Sequence, residues 1–466
     1  MIQYFPKQIS ERAIVVYLIS LATITVVYYN YAMGIGYIAL GCLWVIGFFL
    51  LLDRSSKEWG SYSEKRFVKS LWWSAFALRL VWVIASYYFY DAVTGQPFEF
   101  QARDSMGYHL DAEWLAGERW SVTWDYLFGG LLLADSGYPF YLTVIYKIFG
   151  PVVIIPRLIN VLLSSWTCIL IYRIASRTFG DDIGRIAGLM AVLMPNLIIY
   201  CGYHLKETLM IFLEIACLER ADAMIRNKRL TLWGVVIPSL LAASLFLFRT
   251  ALGAAAIFSI ASAVLISSAP AMKRSGKRMA LVGWGILALV VFGGGAIASE
   301  VESLWEGRGD NLTNKRAQQT IRGNQWAQYA TSSVMAPMIT VLPFATMIDV
   351  DEQYGQQAKS GGNYIRNFMG FFVFLAFIES IRRRQWRNFV LIGAFVVSYL
   401  GVVALSGFNN SERFLLPGLP GLIMMWAYGL SVLRPKTYKY LLPWCVIVFV
   451  MEFAWAFFKL GSRGIL

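Results

Sequence analysis

The stretch Ile35 to Leu52, IGYIALGCLWVIGFFLLL, carries no charge and is closed by Asp53-Arg54-Ser55-Ser56-Lys57. Wound as a helix, its eighteen residues reach about 27 Å, close to the roughly 30 Å hydrocarbon core of a bilayer. Similar apolar runs recur from end to end, near 13–33, 70–90, 153–176, 184–203, 207–225, 230–248, 250–268, 279–298, 363–381, 388–406, 413–433 and 439–458. Together they predict an all-α polytopic membrane protein of about thirteen spans. The composition agrees: 58% of the 466 residues are hydrophobic and 15% charged, against about 45–50% and about 25% in soluble domains. A soluble enzyme is excluded. The run from Ala13, preceded by Lys7 and Arg12, is too long for a cleaved signal and has no small-residue cleavage site, so it reads as an uncleaved first span.

Forty-one Lys and Arg against 28 Asp and Glu give a formal charge of +13. On a soluble chain that balance would suggest nucleic acid; between apolar spans it sets orientation. With the N-terminus inside, the cytoplasmic segments hold Lys7 and Arg12; Arg54, Lys57, Lys65, Arg66 and Lys69; Arg173, Arg177 and Arg185; and Arg220, Arg226, Lys228 and Arg229. They continue with Lys273, Arg274, Lys277 and Arg278; Arg382, Arg383, Arg384 and Arg387; and Arg434, Lys436 and Lys439, in all 25 of the 41 cations. Membrane lipids, not nucleic acid, are the implied partner. The five cysteines lie in apolar runs without C-x-x-C spacing, and two histidines are too few for multi-histidine zinc chemistry.

The spans divide the chain into 1–69, with two spans and a basic loop; a core at 70–298 holding an acidic outer loop at 91–152; a second outer segment at 299–362; and C-terminal spans at 363–466. Tyr138–Gly150 and Ser333–Met347 are short, apolar and interrupted by Pro139 or by Pro337 and Pro343, and would break the parity if they crossed. They read as re-entrant half-helices lining a cavity open to the exterior, since irregular backbone at membrane depth needs such cover. The second outer segment mixes Arg308, Lys315, Arg316, Gln318, Gln319, Arg322, Asn324, Gln325 and Gln328 with Trp305, Trp326 and Tyr329, a composition suited to sugar recognition or simply to a solvated loop.

In the first loop, Tyr108, Ala112, Leu115 and Ala116 recur at helical steps, which predicts an interfacial helix over 103–117. Asp104 stands at its start, where a carboxylate also serves as an N-terminal charge. The pattern Asp-x-x-x-Tyr-x-x-x-Ala-x-x-Leu-Ala-x-Gly-x-x-Trp, Asp104 through Trp120, resembles the first extracytoplasmic loop of the GT-C superfamily, which includes protein mannosyltransferases and aminoarabinose transferases. Three later stretches resemble that family in order: Tyr138 through Gly150, Arg157 through Gly180, and Glu412-Arg413-Phe414-Leu415-Leu416-Pro417-Gly418-Leu419-Pro420. Two spans precede the family's usual first helix, and Leu205-Lys206-Glu207 stands where many relatives have Leu-Pro-Asp.

The resemblance implies a GT-C-like fold, a polyprenyl-linked sugar donor, a glycan, lipid or protein acceptor, inversion at the anomeric carbon and a base at Asp104. Such a transfer must take a proton from the acceptor hydroxyl and stabilise the departing phosphate. Glu207 is the second acid, in the polar cluster Tyr203-His204-Leu205-Lys206-Glu207. Tyr108 reads as a ligand to the Asp104 carboxylate, a wall of the acceptor groove, or an interfacial aromatic. His204, Lys206, Arg249, Arg366 and Arg413 are the substrate- and phosphate-binding candidates at the outer boundary, each also readable alone as a lipid anchor. Arg413 ranks first because it lies in a family motif. Arg79 falls inside a span with no partner legible in the sequence. His109 and Glu113, four apart, are weak metal candidates beside Asp104; they also read as a surface pair, and the cofactor stays open, a divalent cation included.

The leading expectation is therefore a glycosyltransferase of a bacterial inner membrane, with its active site on the extracytoplasmic face. A Wzy-type polysaccharide polymerase, in which arginines dominate, is the nearest alternative. A lipid-linked-sugar flippase or transporter is the non-enzymatic one, although its polar residues would lie at the bilayer midplane, with repeat symmetry.

Overall fold

The computed structural model describes residues 4–100, 102–129, 133–227, 231–266, 342–350, 353–383, 386–405 and 412–465, with Trp284, Gly285, Trp326 and Met338. The expected span at 279–298 (save Trp284 and Gly285) lies outside the described residues, as do Lys273 through Lys277 and the recognition residues Trp305 through Gln325 and Gln328–Tyr329. The regular structure of the described chain is all helical. Its one β-contact is an isolated antiparallel bridge between Ala32 and Ile348.

The first three helices are α1 (Lys7–Val27), α2 (Ile35–Gly60) and α3 (Glu64–Thr94). The outer segment holds α4 (Arg103–Gly117), α5 (Trp120–Gly129) and α6 (Leu133–Phe149). There follow α7 (Ile154–Phe179), α8 (Asp181–Leu193), α9 (Pro195–Cys201), α10 (Glu207–Arg226), α11 (Leu232–Phe246) and α12 (Thr250–Ile266). After the undescribed region come α13 (Tyr354–Ala358), α14 (Ser360–Arg382), α15 (Trp386–Leu405), α16 (Glu412–Leu415), α17 (Leu419–Ser431), α18 (Pro435–Tyr438) and α19 (Leu441–Gly461).

Among the described residues, eight segments are long and apolar enough to cross a membrane: α1, α2, α3, α7, α14, α15, Glu412–Ser431 and Pro435–Gly461. The pair α8 and α9, bent by 47°, makes a ninth if it is one span. Three other expected spans are helices that fall short by this measure. α11 and α12 have 15 and 17 residues, and α10 carries Glu214, Glu219, Arg220 and Asp222 within its length.

Two expected half-helices take other forms. Residues 138–150 belong to the continuous 17-residue α6, which begins five residues earlier and contains Pro139 in its interior. Of the second, Leu342–Met347 is buried non-helical chain, pinned where the Ala345 N–H donates to Glu452 Oε2 at 2.8 Å; most of 333–341 is outside the described residues.

Local chemistry explains two joints that position the site. Gly180 has φ 106°, a left-handed conformation that lets this single residue join the end of α7 to the start of α8. α7 and α8 then pack so closely that a Cβ on Gly184 would lie 2.6 Å from the Ser176 side chain. The second joint is the break before Pro195. Proline has no N–H to offer the carbonyl four residues back, which is that of Ala191. Arg79 fills the gap. Its Nη2 donates to Ala191 O at 3.1 Å, its Nη1 to Val192 O at 3.2 Å and its Nε to Ser164 Oγ at 2.6 Å. The intramembrane guanidinium that had no partner in the sequence thus caps a broken helix.

The described basic segments gather at one end of the bundle. Arg185 Nη1 donates to the carbonyls of Trp59 and Tyr62 in the α2–α3 turn at 3.0 and 2.8 Å. Arg177 at the end of α7 meets Glu219 of α10 at 2.6 Å, Arg434 reaches Glu379 near the end of α14 at 3.6 Å, and Tyr438 donates to Gln8 at 3.0 Å.

Candidate functional site

At the opposite end, four of the expected site residues converge from four distant parts of the chain. Arg413, on α16, donates through Nη1 to Asp104 on α4 and through Nε to Glu207 Oε1 at 2.8 Å, at the first residue of α10. Arg249, just before α12, brings Nη2 to 3.7 Å from the same Glu207 oxygen. Its Nη1 donates to Tyr399 Oη at 2.9 Å, Tyr399 Oη donates to the Phe414 carbonyl at 2.8 Å, and the guanidinium lies 4.2 Å from the centre of the Phe414 ring. The side chains grade from solvent inwards: Asp104 is 55% exposed, Arg413 23%, Arg249 10% and Glu207 0%. Two carboxylates and two guanidiniums therefore share one boundary, with the acid most open to solvent at its rim.

Asp104 is the second residue of α4, and no side chain caps that helix. Its carboxylate faces Arg413 instead. Tyr108, one turn along, packs edge-on against Tyr138 at 5.2 Å and shares no hydrogen bond with Asp104. Burial, then Asp135 and Glu207, raise its phenol above the ordinary range, so it stays protonated.

The other candidates have other partners. Lys206 points to Asp135 Oδ1 at 2.6 Å, Phe248 O at 2.7 Å and Ala134 O at 3.2 Å, which uses all three ammonium hydrogens to tie α6 to the α11–α12 turn. Burial lowers its pKa, opposed by the Asp135 charge. His204 belongs to a chain on the inner side of α4: His109 Nδ1 is 2.8 Å from Tyr146 Oη, which is 3.2 Å from His204 Nε2. Burial depresses both imidazoles, His204 strongly because it is almost wholly buried, with the Arg157 charge adding to the effect. Arg366 is fully buried on α14 in a neighbouring cluster.

His109 Nε2 lies 3.9 Å from Glu113 Oε2, but among the described residues no three His, Cys, Asp or Glu side chains converge to hold a metal. The pair therefore lacks the third ligand it would need. Tyr399, Asn196, Tyr200, Lys359 and Tyr146, which frame these clusters, were not legible as site residues. Each sits in apolar or loop sequence whose register decides whether it faces the site. Asn196, next to the helix-breaking Pro195, carried the one usable signal.

No protein-family model matches the chain, and no curated protein matches it significantly.

Proposed function

We propose that the chain is an integral-membrane glycosyltransferase of GT-C type, with about thirteen spans, in a bacterial inner membrane. It moves a sugar from a polyprenyl-phosphate or -diphosphate carrier to a glycan, lipid or protein acceptor on the extracytoplasmic face. The supporting observation is Arg413 bridging Asp104 and Glu207, at the end of the bundle away from the basic segments. The positive-inside tendency makes that end extracytoplasmic.

In this reading Asp104, exposed at the rim, accepts the acceptor hydroxyl proton as the new glycosidic bond forms. Arg413 and Arg249 offer donors to the departing phosphate, whose charge grows as the anomeric carbon–oxygen bond breaks. Glu207, fully buried, holds both guanidiniums in place. Tyr108 lines the acceptor side.

The test supplies purified protein with a panel of polyprenyl-linked sugars and acceptor. Wild type should form a glycosidic bond with one of them, and Asp104→Asn should turn over at least about 100-fold more slowly. Undiminished turnover in Asp104→Asn would remove the base and favour the polymerase alternative. Lipid-linked sugar crossing liposomes without bond formation would make the protein a flippase.

A further inference from the structure

We infer that the sugar carrier is a diphosphate, and that Lys359 and Arg366 form a second anion-binding half beside Arg413 and Arg249. This rests on the function proposed above and names the class of its donor. Lys359, just before α14, holds Nζ 3.1 Å from Glu412 Oε2 and donates to Tyr200 Oη at 3.3 Å. Asn196 of α9 donates to Glu412 Oε1 and to Asn363 Oδ1, the latter at 3.1 Å. Arg366 stands one turn beyond Asn363, 0% exposed, and none of its three guanidinium nitrogens has a hydrogen-bond acceptor.

That orphan fork is the decisive observation. A buried guanidinium without acceptors is among the most costly arrangements a fold can hold. Glu412 is the one carboxylate among its electrostatic neighbours and is already engaged by Lys359 and Asn196. The first cluster balances Asp104 and Glu207 against Arg249 and Arg413; the second sets Glu412 against Lys359 and Arg366 and keeps a surplus positive charge.

The two clusters are contiguous. Glu412 and Arg413 are consecutive, and Tyr200 is an electrostatic neighbour of Glu207 and Arg413 on one side and of Glu412 and Arg366 on the other. Two cationic centres meeting at one tyrosine match two linked phosphates. A monophosphate on Arg413 and Arg249 would leave Arg366 unmatched, whereas a second phosphate accepts its fork and the Lys359 ammonium.

The experiment measures binding of undecaprenyl phosphate and undecaprenyl diphosphate to the full-length protein in nanodiscs, by ligand-induced thermal stabilisation. Wild type should favour the diphosphate by roughly tenfold or more. Arg366→Gln should erase that preference while keeping monophosphate affinity. Lys359→Gln, which keeps Arg366 and guards against a variant that fails to fold, should reduce the preference in part. Equal affinity in wild type, or a preference unchanged in both variants, overturns the inference. Because binding is read without turnover, an Arg366-dependent preference without sugar transfer would keep the diphosphate site and remove the transferase. Transfer from a monophosphate-linked sugar with no effect of Arg366→Gln would do the reverse.

Discussion

The two ends of the bundle use charge in opposite ways. At the basic end most ion pairs are local: Arg185 with Asp181, Arg226 with Asp222 and Arg383 with Glu379 are each one helical turn apart at 2.6 to 3.0 Å, and the longer reaches there are Arg177 to Glu219 over 42 positions at 2.6 Å and Arg434 to Glu379 at 3.6 Å. Helix geometry alone brings the one-turn pairs together. At the other end Arg413 reaches partners 206 and 309 positions away. Those contacts exist only in the assembled fold, and Glu207 is wholly buried when they form. What sets the site end apart is that two arginines from different segments converge on one wholly buried carboxylate and one of them goes on to a second acid, an arrangement retained at a desolvation cost that a site can justify.

The largest effect should come from breaking that long-range set. Arg413→Ala leaves Glu207 with Arg249 at 3.7 Å as its remaining ion-pair partner, and removing one member of a buried pair costs about 3–5 kcal/mol. Thermal unfolding in detergent should show that loss together with loss of transfer. Adding Glu207→Gln should recover part of the stability but none of the activity, because it removes the stranded charge. Stability unmoved by the second change would mean that the stranded carboxylate is not the cause.

Next in size is Lys206→Met. Three hydrogen bonds from one ammonium vanish, each charged bond being worth about 1.5–3 kcal/mol before compensation. A loss of about 2–3 kcal/mol is expected, with donor affinity unchanged, since the ammonium hydrogens of Lys206 are all engaged in tying α6 to the α11–α12 turn. A weakened donor affinity at full stability would return Lys206 to the phosphate.

Much of this contrast was legible in the sequence, and for a physical reason. Charges are costly at the ends of apolar runs, so Glu207, Arg249 and Arg413 stood out; Asp104 stood out by its place at the start of the loop helix and by the GT-C-like pattern, and the basic segments fell on one side of the spans. What the sequence hid was partnership. Arg79 looked unpaired because its acceptors are backbone carbonyls freed by Pro195, more than 110 positions away, and a carbonyl has no letter in a sequence. Lys206 looked like a phosphate ligand because its neighbours in sequence are polar; its actual partners lie 42 to 72 positions away. Span counting was weakest where composition and length disagree, as in α10 with its internal acids and in the short α11 and α12.

A smaller effect separates the ends by pH, because both histidines of the chain lie at the site end. His204 meets Tyr146, the rings of Phe98 and Tyr138, and the charges of Arg157 and His109, the latter beside Glu113. Burial, then those cations, keep it neutral in the fold. Below about pH 6.5 the unfolded chain takes up a proton that the folded chain refuses, so stability falls as pH drops through that value. The unfolding temperature of wild type should decline between about pH 7.5 and 5.5, and His204→Asn should decline less. An equal decline would assign the slope to other groups.

The smallest effect should be found at the basic end. Arg434, 49% exposed, lies 3.6 Å from Glu379 Oε2, and Glu379 keeps Arg382 at 3.3 Å and Arg383 at 3.0 Å without it. Arg434→Ala should therefore change stability by less than about 0.5 kcal/mol, and less still in high salt. Transfer activity should stay at the wild-type rate. A cost comparable to that of Arg413→Ala would mean that Glu379 depends on a particular arginine, as Glu207 does, and that separation in sequence does not distinguish the two kinds of pair.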